Sequence, residues 1–203
     1  MNVELQYSLE FPAMIYMPED ILWSIMTNRF EISLQMVTGT NNKKQINVAA
    51  ERIKAFVMGE LAHCIFVNQN FSEQAEMFAA LGANVTTLPD DPVDQIIGIM
   101  LYCKLNAIME GRMKITQLDI SSELGDSVWY KHNEEYPLGP FATNGWWFKS
   151  SPKHDNFVDP DAQDNVVHVG RDSWLDYDLG WADDNQSLNK SVVYADFSRN
   201  ENK

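Results

Sequence analysis

Two segments of the chain alternate apolar and polar residues one by one, over residues 3–11 and again over 30–36. Successive side chains of a strand point to opposite faces of a sheet, so this period of two predicts two strands. The positions predicted to face a core are Val3, Leu5, Tyr7, Leu9, Phe30, Ile32, Leu34 and Met36, with Glu4 and Glu31 facing solvent. Such alternation is typical of an antiparallel sheet with one covered face. Between the strands, Pro18-Glu19-Asp20 predicts a short helical turn to Met26, because proline costs little at a helix start.

A spacing of three to four residues between apolar positions replaces the alternation further on. Asn41 or Asn42 can cap a helix that runs to about Leu61. A second helix is predicted over 72–81, because the apolar pattern stops at Gly82.

The third predicted helix begins at Asp90-Asp91-Pro92 and stops before Gly111. Acidic residues and proline favour a helix start, and glycine favours a helix end. Residues 96–101 are apolar on nearly every side, which predicts that this is the central buried helix. Gly98 in its middle predicts close packing against a neighbour.

Two further strands are predicted over about 113–120 and 127–132, because residues 123–126 have the composition of a hairpin turn. From residue 133 onward, proline and glycine recur every few residues and no periodic pattern survives. The predicted fold class is therefore α+β. It comprises a core domain over 1–132, an antiparallel sheet with helices on one face, and an irregular aromatic and Asp-rich extension over 133–203.

The extension carries most of the charge of the protein. Residues 155–184 hold nine aspartates, no glutamate and one base, and so contribute −8 of the net charge of −14. A polyanion repels nucleic acids and anionic membranes, whereas a basic protein surface attracts it. Tryptophan and tyrosine supply binding energy when they are exposed at an interface. The residues predicted to bind a partner are Trp146, Trp147, Asp172, Trp174, Asp176, Tyr177, Asp178 and Trp181.

The order of the predicted elements over 1–132 resembles the tunnelling fold of pterin and purine enzymes, in which two hairpins surround two helices. The resemblance implies a fold that can hold a small heterocycle. The zinc-binding histidine pattern of the pterin synthases has no counterpart, because none of the four histidines lies in the first 62 residues.

A second resemblance concerns an uncharacterised family of large tailed bacteriophages. It is carried by residues 88–95, by residues 123–130, and by Gly139-Pro140-Phe141 followed by Gly145-Trp146-Trp147. This resemblance implies a setting in the cytoplasm of a bacterial host or in the virion, and no activity.

The sequence contains no catalytic or metal-binding motif of known spacing. Asp159 to Asp164 begins like a calcium loop but lacks the glycine that the EF-hand requires at its sixth place. His63 and Cys64 are adjacent, so their side chains are expected to point apart. Cys64 and Cys103 lie in apolar segments and are predicted to be buried thiols. No metal, cofactor or catalytic residue is therefore predicted, and His132 with Glu134 and Glu135 is interpreted as a polar turn.

The leading interpretation is a non-enzymatic, phage-encoded interaction protein that binds a basic protein partner through its acidic and aromatic surface. The first alternative is a pterin- or purine-like enzyme or ligand-binding protein on a tunnelling-like fold. The second is a structural component of the virion. Neither a secretory signal nor a stretch long enough to cross a bilayer is recognised. The sequence leaves the oligomeric state open.

Overall fold

The computed structural model describes residues 3–19, 22–143, 145–150 and 174–181. The strands are β1 (Glu4–Glu19), β2 (Leu22–Thr38), β3 (Ile65–Asn68), β4 (Val85–Leu88), β5 (Met113–Ser122) and β6 (Tyr130–Asn133). The helices are α1 (Lys43–Ala55), which continues as the π-helix Phe56–Leu61, then α2 (Ser72–Ala80) and α3 (Asp94–Met109). Single 3₁₀ turns lie at Gln69–Phe71, Gly139–Phe141 and Trp146–Phe148.

The six strands form one mixed sheet in the order β4-β3-β1-β2-β5-β6. The pairs β1–β2, β2–β5 and β5–β6 are antiparallel, whereas β3 runs parallel to both β1 and β4. The predicted α+β class is confirmed, and the sheet, predicted to be antiparallel, is mainly so. Helices α1 and α3 pack with the main core, and α2 is the exception, because it packs in a second cluster with Tyr16 and Val67.

The predicted helical turn from Pro18 to Met26 is wrong. Strands β1 and β2 form a long hairpin in which Pro18 is opposite Trp23 and Glu19 is opposite Leu22. The local signals for a helix start are weak, and pairing between the two long strands overrides them.

The buried face predicted from the alternation is largely confirmed. Phe30, Ile32, Leu34 and Met36 on β2 are all at most 3% exposed. Their partners Leu5, Tyr7 and Leu9 on β1 are half-buried against the same core. The prediction for Val3 is wrong: it lies before β1 begins and is 50% exposed. Glu4 and Glu31 are exposed as predicted.

Helix α3 is the central helix of the core, as predicted. A Cβ atom at Gly98 would lie 2.9 Å from Ile120 Cγ2 and 3.5 Å from Tyr130 Cδ1. The absence of a side chain therefore lets α3 approach β5 and β6 closely. No helix among the described residues has both the length and the apolar character needed to span a membrane.

Candidate ligand-binding site

A cavity of about 560 Å³ opens at the N-terminal end of α3. It exists because β2 pairs with β5 only from Phe30 onward, so the far half of the β1–β2 hairpin extends past the end of β5. The space between the hairpin, the start of α3 and the β5–β6 loop (residues 123–129) is left partly open. Its apolar wall includes Ile15, Met17, Met26, Val93, Val128 and Tyr130, and its polar groups are Asn28, Asp94, Gln95 and Ser122.

The polar end of the cavity is a carboxylate held in a fixed orientation. Asp94 is the first residue of α3, and its Oδ1 accepts a hydrogen bond from the hydroxyl of Ser122 at 2.7 Å. Ser122 is 3% exposed, and its Oγ accepts from the backbone N–H of Gly125 at 3.1 Å. A Cβ at Gly125 would lie 2.4 Å from Asp94 Oδ2, so this arrangement requires glycine there. A negative charge is also favourable at a helix N-terminus, where Val93 provides no capping side chain.

The β5–β6 loop closes one side of the cavity and is attached to the hairpin through Asn28. The side-chain Oδ1 of Asn28, 5% exposed, accepts from the backbone N–H of Leu124 at 3.1 Å. The loop then passes through two consecutive residues in the left-handed region, Asp126 (φ 54°) and Ser127 (φ 56°). Strained backbone of this kind is often found at ligand sites. After the turn, Val128 is 67% exposed although it lines the cavity.

Four tryptophans that the sequence suggests as exposed partner contacts are buried. Trp146 and Trp147 are each 8% exposed, Trp174 is 7% exposed and Trp181 is 2% exposed. These four rings are therefore core residues of this chain, and binding of a partner through them stays a prediction. Asp176, Tyr177 and Asp178 are exposed, and their role in binding a partner stays a prediction. Asp172 lies outside the described residues.

Trp174 and Trp181 are buried because they pack on a basic residue of the same chain. The guanidinium of Arg52, itself 1% exposed, lies 3.8 Å from the ring centre of Trp181 and 4.8 Å from that of Trp174. Its Nε donates to the carbonyl of Leu179 at 2.8 Å. Glu110, just after α3, accepts from both Arg52 and the indole N–H of Trp181, each at 3.0 Å. Acidic and aromatic residues thus attract a cation within the fold, as the sequence analysis expects them to attract one on an external partner.

Trp146 and Trp147 pack against the side of α3. Lys104 on α3 is fully buried, and its Nζ donates to the carbonyls of Trp146 (3.3 Å) and Lys149 (3.1 Å). Trp147 makes an edge-to-face contact with Phe141, with ring centres 4.8 Å apart. These rings, together with Trp174 and Trp181, belong to the same core cluster as the sheet. The described parts of 133–203 therefore pack on the predicted core domain.

The described thiols and imidazoles do not form a nucleophilic pair. Cys64 and Cys103 are buried as predicted, and burial raises their pKa to about 12 and about 11, respectively. His63 is exposed with a positive φ, so its side chain does not share the buried environment of Cys64. His132 is fully buried, neither ring nitrogen has a hydrogen-bond partner within the described ranges, and burial lowers its pKa. Glu134 is paired with Lys114.

Over the described ranges, no three histidine, cysteine, aspartate or glutamate side chains are grouped so that they could hold a metal ion. The calcium-like segment from Asp159 to Asp164 lies outside those ranges.

Comparison with known proteins gives likenesses in structure alone. No protein-family model matches the chain, and no curated protein matches it. An uncharacterised protein from Wolinella succinogenes is similar with a TM-score of 0.49 and 9% identity, covering 66% of this chain and 99% of that one. The 6-pyruvoyl tetrahydropterin synthase of Plasmodium falciparum is similar with a TM-score of 0.43 and 12% identity, covering 66% and 98%. The Plasmodium vivax enzyme is similar with a TM-score of 0.43 and 9% identity, covering 66% and 99%.

These solved structures are thus loosely similar to this chain. The resemblance to a bacteriophage family stays a prediction. Sequence reasoning did not identify the cavity, because its residues come from the hairpin, α3 and the β5–β6 loop. One signal was present: Asp94 begins a helix, and Gly125 lies in a turn between strands, where a carboxylate can approach closely.

Proposed function

We propose that this protein binds a small molecule in the cavity at the N-terminal end of α3. The observation that supports this most directly is an apolar cavity of about 560 Å³ with an oriented carboxylate at one end. Ligand sites in proteins typically measure about 300–1,000 Å³ and combine apolar walls with a few convergent polar groups. The cavity has both properties.

The lining favours a flat heterocycle with N–H donors on one edge, such as a purine or a pterin. Met17 and Met26 can pack against the faces of a ring, because thioethers make favourable contacts with aromatic systems. Asp94 accepts from Ser122 through Oδ1, and its Oδ2 lies beside Gly125. A carboxylate accepts hydrogen bonds only, so the matching group on the ligand is a donor. Asp94 is also the carboxylate within this lining that could serve an acid–base step.

The test is a panel of purines and pterins screened by thermal shift and by ligand-observed NMR. Ligand at one hundred times its Kd should stabilise the protein by about 2.7 kcal/mol. Asp94→Asn replaces the carboxylate by a neutral group of the same shape, so a matching ligand should bind roughly ten- to a hundredfold more weakly. Asp90→Asn is the matched control, because Asp90 is exposed four residues earlier and the change in charge is the same.

A second variant tests the location of the binding site rather than the hydrogen bonding to the ligand. Val128→Trp puts a large ring at an exposed position of the wall, where it can obstruct the cavity without disturbing the core. Binding should be lost while the melting temperature of the free protein is kept. The proposal fails if no heterocycle binds, or if one binds equally well to both the Asp94→Asn and the Val128→Trp proteins.

Protein binding through segment 174–181 is a second candidate, favoured by the exposure of Leu175 (57%) and Tyr177 (39%) beside Asp176 and Asp178. A basic partner in a bacterial host cell or a virion would associate more slowly with the Asp176→Asn/Asp178→Asn double variant at low salt, because exposed charges steer encounter. Asparagine is chosen because Asp178 has a φ of 55°, which asparagine tolerates. Partners recovered by pull-down whose association rate is unchanged would exclude this role.

A further inference from the structure

The inference concerns His132, a titratable group that the proposed binding function does not use. His132 lies on β6 with no exposed surface, and neither of its ring nitrogens has a hydrogen-bond partner among the residues that the structure describes. Its ring makes an edge-to-face contact with Tyr102 on α3, with centres 4.8 Å apart, and faces Tyr136 at 6.2 Å. A neutral imidazole can occupy such a site at a moderate cost. An imidazolium there would be a buried charge with two unpaired donors.

Within the part of the chain that the structure describes, the charged groups around His132 offer no compensation. From β5, Leu118 is directly opposite His132, and Lys114 and Asp119 on the same strand are at exposed or half-buried positions. Around β6, Lys131, Glu134 and Glu135 are exposed, and Glu134 is paired with Lys114. On α3, Tyr102 faces the ring, the thiol of Cys103 is buried, and Lys104 is engaged with the carbonyls of Trp146 and Lys149. A proton on His132 is therefore best accommodated by exposing the ring to water.

The strand that carries His132 is one of the two short edge strands, which are held to the sheet by fewer pairs than the central strands β1 and β2 are. β6 is four residues long, lies at the end of the strand order, and pairs with β5 over only Gln117–Ile120. The β5–β6 loop precedes β6 and connects it to β5, so that β6 can move without breaking a rigid connection. Tyr130 is two residues before His132, so both side chains are on the same side of the strand. The ring of Tyr130 lies against Gly98 and lines the cavity.

We propose that β6 is a proton-operated flap: uptake of a proton by His132 detaches β6 from β5 and withdraws Tyr130 from the cavity. Burial lowers the pKa of His132, in agreement with this geometry. The flap would keep Tyr130 in the wall of the cavity at neutral pH and remove that wall in mild acid. The inference rests on the proposed function only where it treats the cavity as a ligand site.

Amide exchange tests the flap without any ligand. An opening that takes up one proton becomes about tenfold more favourable per pH unit below the pKa of the open state. Because the ordinary pKa of histidine is 6.5, the protection factors of the amides of Tyr130–Asn133 should therefore fall about fivefold between pH 6.5 and 5.5. They should be insensitive to low concentrations of urea, because a local opening exposes little surface. The amides of Ile32 and Leu34 on β2 should be more protected and should respond to urea.

The matched variants are His132→Leu, which removes the titrating group, and His63→Asn, which changes an exposed histidine of positive φ. The fall in protection at β6 should disappear in the first protein and persist in the second. Should His132→Leu fold poorly, His132→Gln supplies a neutral polar replacement. In parallel, the NOE between the Tyr130 ring and Gly98 should weaken from pH 7 to 5.5 in the natural sequence only.

The flap is refuted if β6 protection is independent of pH in the natural sequence. It is equally refuted if β6 and β2 amides show the same protection and the same urea dependence, because protonation then acts through unfolding of the whole domain. If the flap opens but the protein binds no heterocycle, this inference is supported and the proposed function is refuted. The two failures are thus distinguishable.

Discussion

Replacing Arg52 by methionine tests whether this guanidinium holds segment 174–181 on the fold. The substitution keeps an unbranched, largely apolar side chain and removes the cation that contacts Trp181 and Trp174. Lys54→Met is the matched control, because Lys54 is an exposed base on the same helix and the loss of charge is identical.

The expected loss can be estimated from the contacts. A desolvated cation–π contact contributes up to about 2 kcal/mol, and a hydrogen bond from a charged group about 1.5–3 kcal/mol. Arg52 is almost fully buried, so the upper ends apply to its contacts with Trp181 and the Leu179 carbonyl. Its pair with Glu110 adds little, because that carboxylate is 34% exposed and can be solvated. We expect a decrease of about 3–5 kcal/mol in the free energy of unfolding, against a typical total of about 5–15 kcal/mol.

The assay is urea denaturation followed by far-ultraviolet circular dichroism, with tryptophan emission recorded on the native protein. Arg52→Met should lower the urea midpoint and shift emission to longer wavelength as Trp174 and Trp181 become hydrated. Lys54→Met should change stability by at most about 0.5 kcal/mol. If the two variants have the same midpoint and the same emission, Arg52 does not hold the segment and the estimate is refuted.

Two further predictions concern α3 and the strands on which it packs. Gly98→Val should lower the free energy of unfolding by about 1–3 kcal/mol in the same assay, because its Cβ would lie 2.9 Å from Ile120 Cγ2. The control Gly59→Ala has open space around the added Cβ and should leave the free energy of unfolding nearly unchanged. A stable Gly98→Val protein would mean that α3 does not pack closely on β5. The lowered pKa of His132 means that the unfolded state binds the proton first, so stability should be fully present above the ordinary pKa of 6.5 and fall as pH decreases below it. Denaturation at several pH values should show this fall in stability, and His132→Leu should reduce it. If stability depends on pH equally in both proteins, another group is responsible.

The accuracy of the sequence predictions depended on how local the physical signal was. The alternation around Ile32 and the helical spacing through Ile53 follow from the period of one element against one core, and both were predicted. The β1–β2 hairpin beyond Pro18 depends on pairing between two strands, so local turn and helix signals were misleading there. Strands β3 and β4 are only four residues each and were not predicted, since such short runs carry little periodicity.

The aromatic extension also shows that local sequence signals cannot identify contacts between distant residues. Its acidic and aromatic composition indicates affinity for a cation, and Arg52 confirms that chemistry within the chain. Composition cannot show whether the cation lies on another protein or 122 residues earlier, since Arg52 and Trp174 are brought together only by the fold. The same holds for the cavity, whose carboxylate at Asp94 and supporting hydroxyl at Ser122 are on separate elements.

The two ends of α3 differ in a way that bears on function. At its C-terminal end, the carbonyl of Ile108 and the side chain of Glu110 are engaged by Arg52, and Trp181 packs over that guanidinium. At its N-terminal end no capping side chain is present, Asp94 is held by Ser122, and the space beyond is open. Buried polar groups are normally satisfied within a fold, as they are at the C-terminal end. Asp94 is stabilised there by Ser122 and by the N-terminus of α3, and the apolar cavity beside it is the feature that the ligand proposal has to explain.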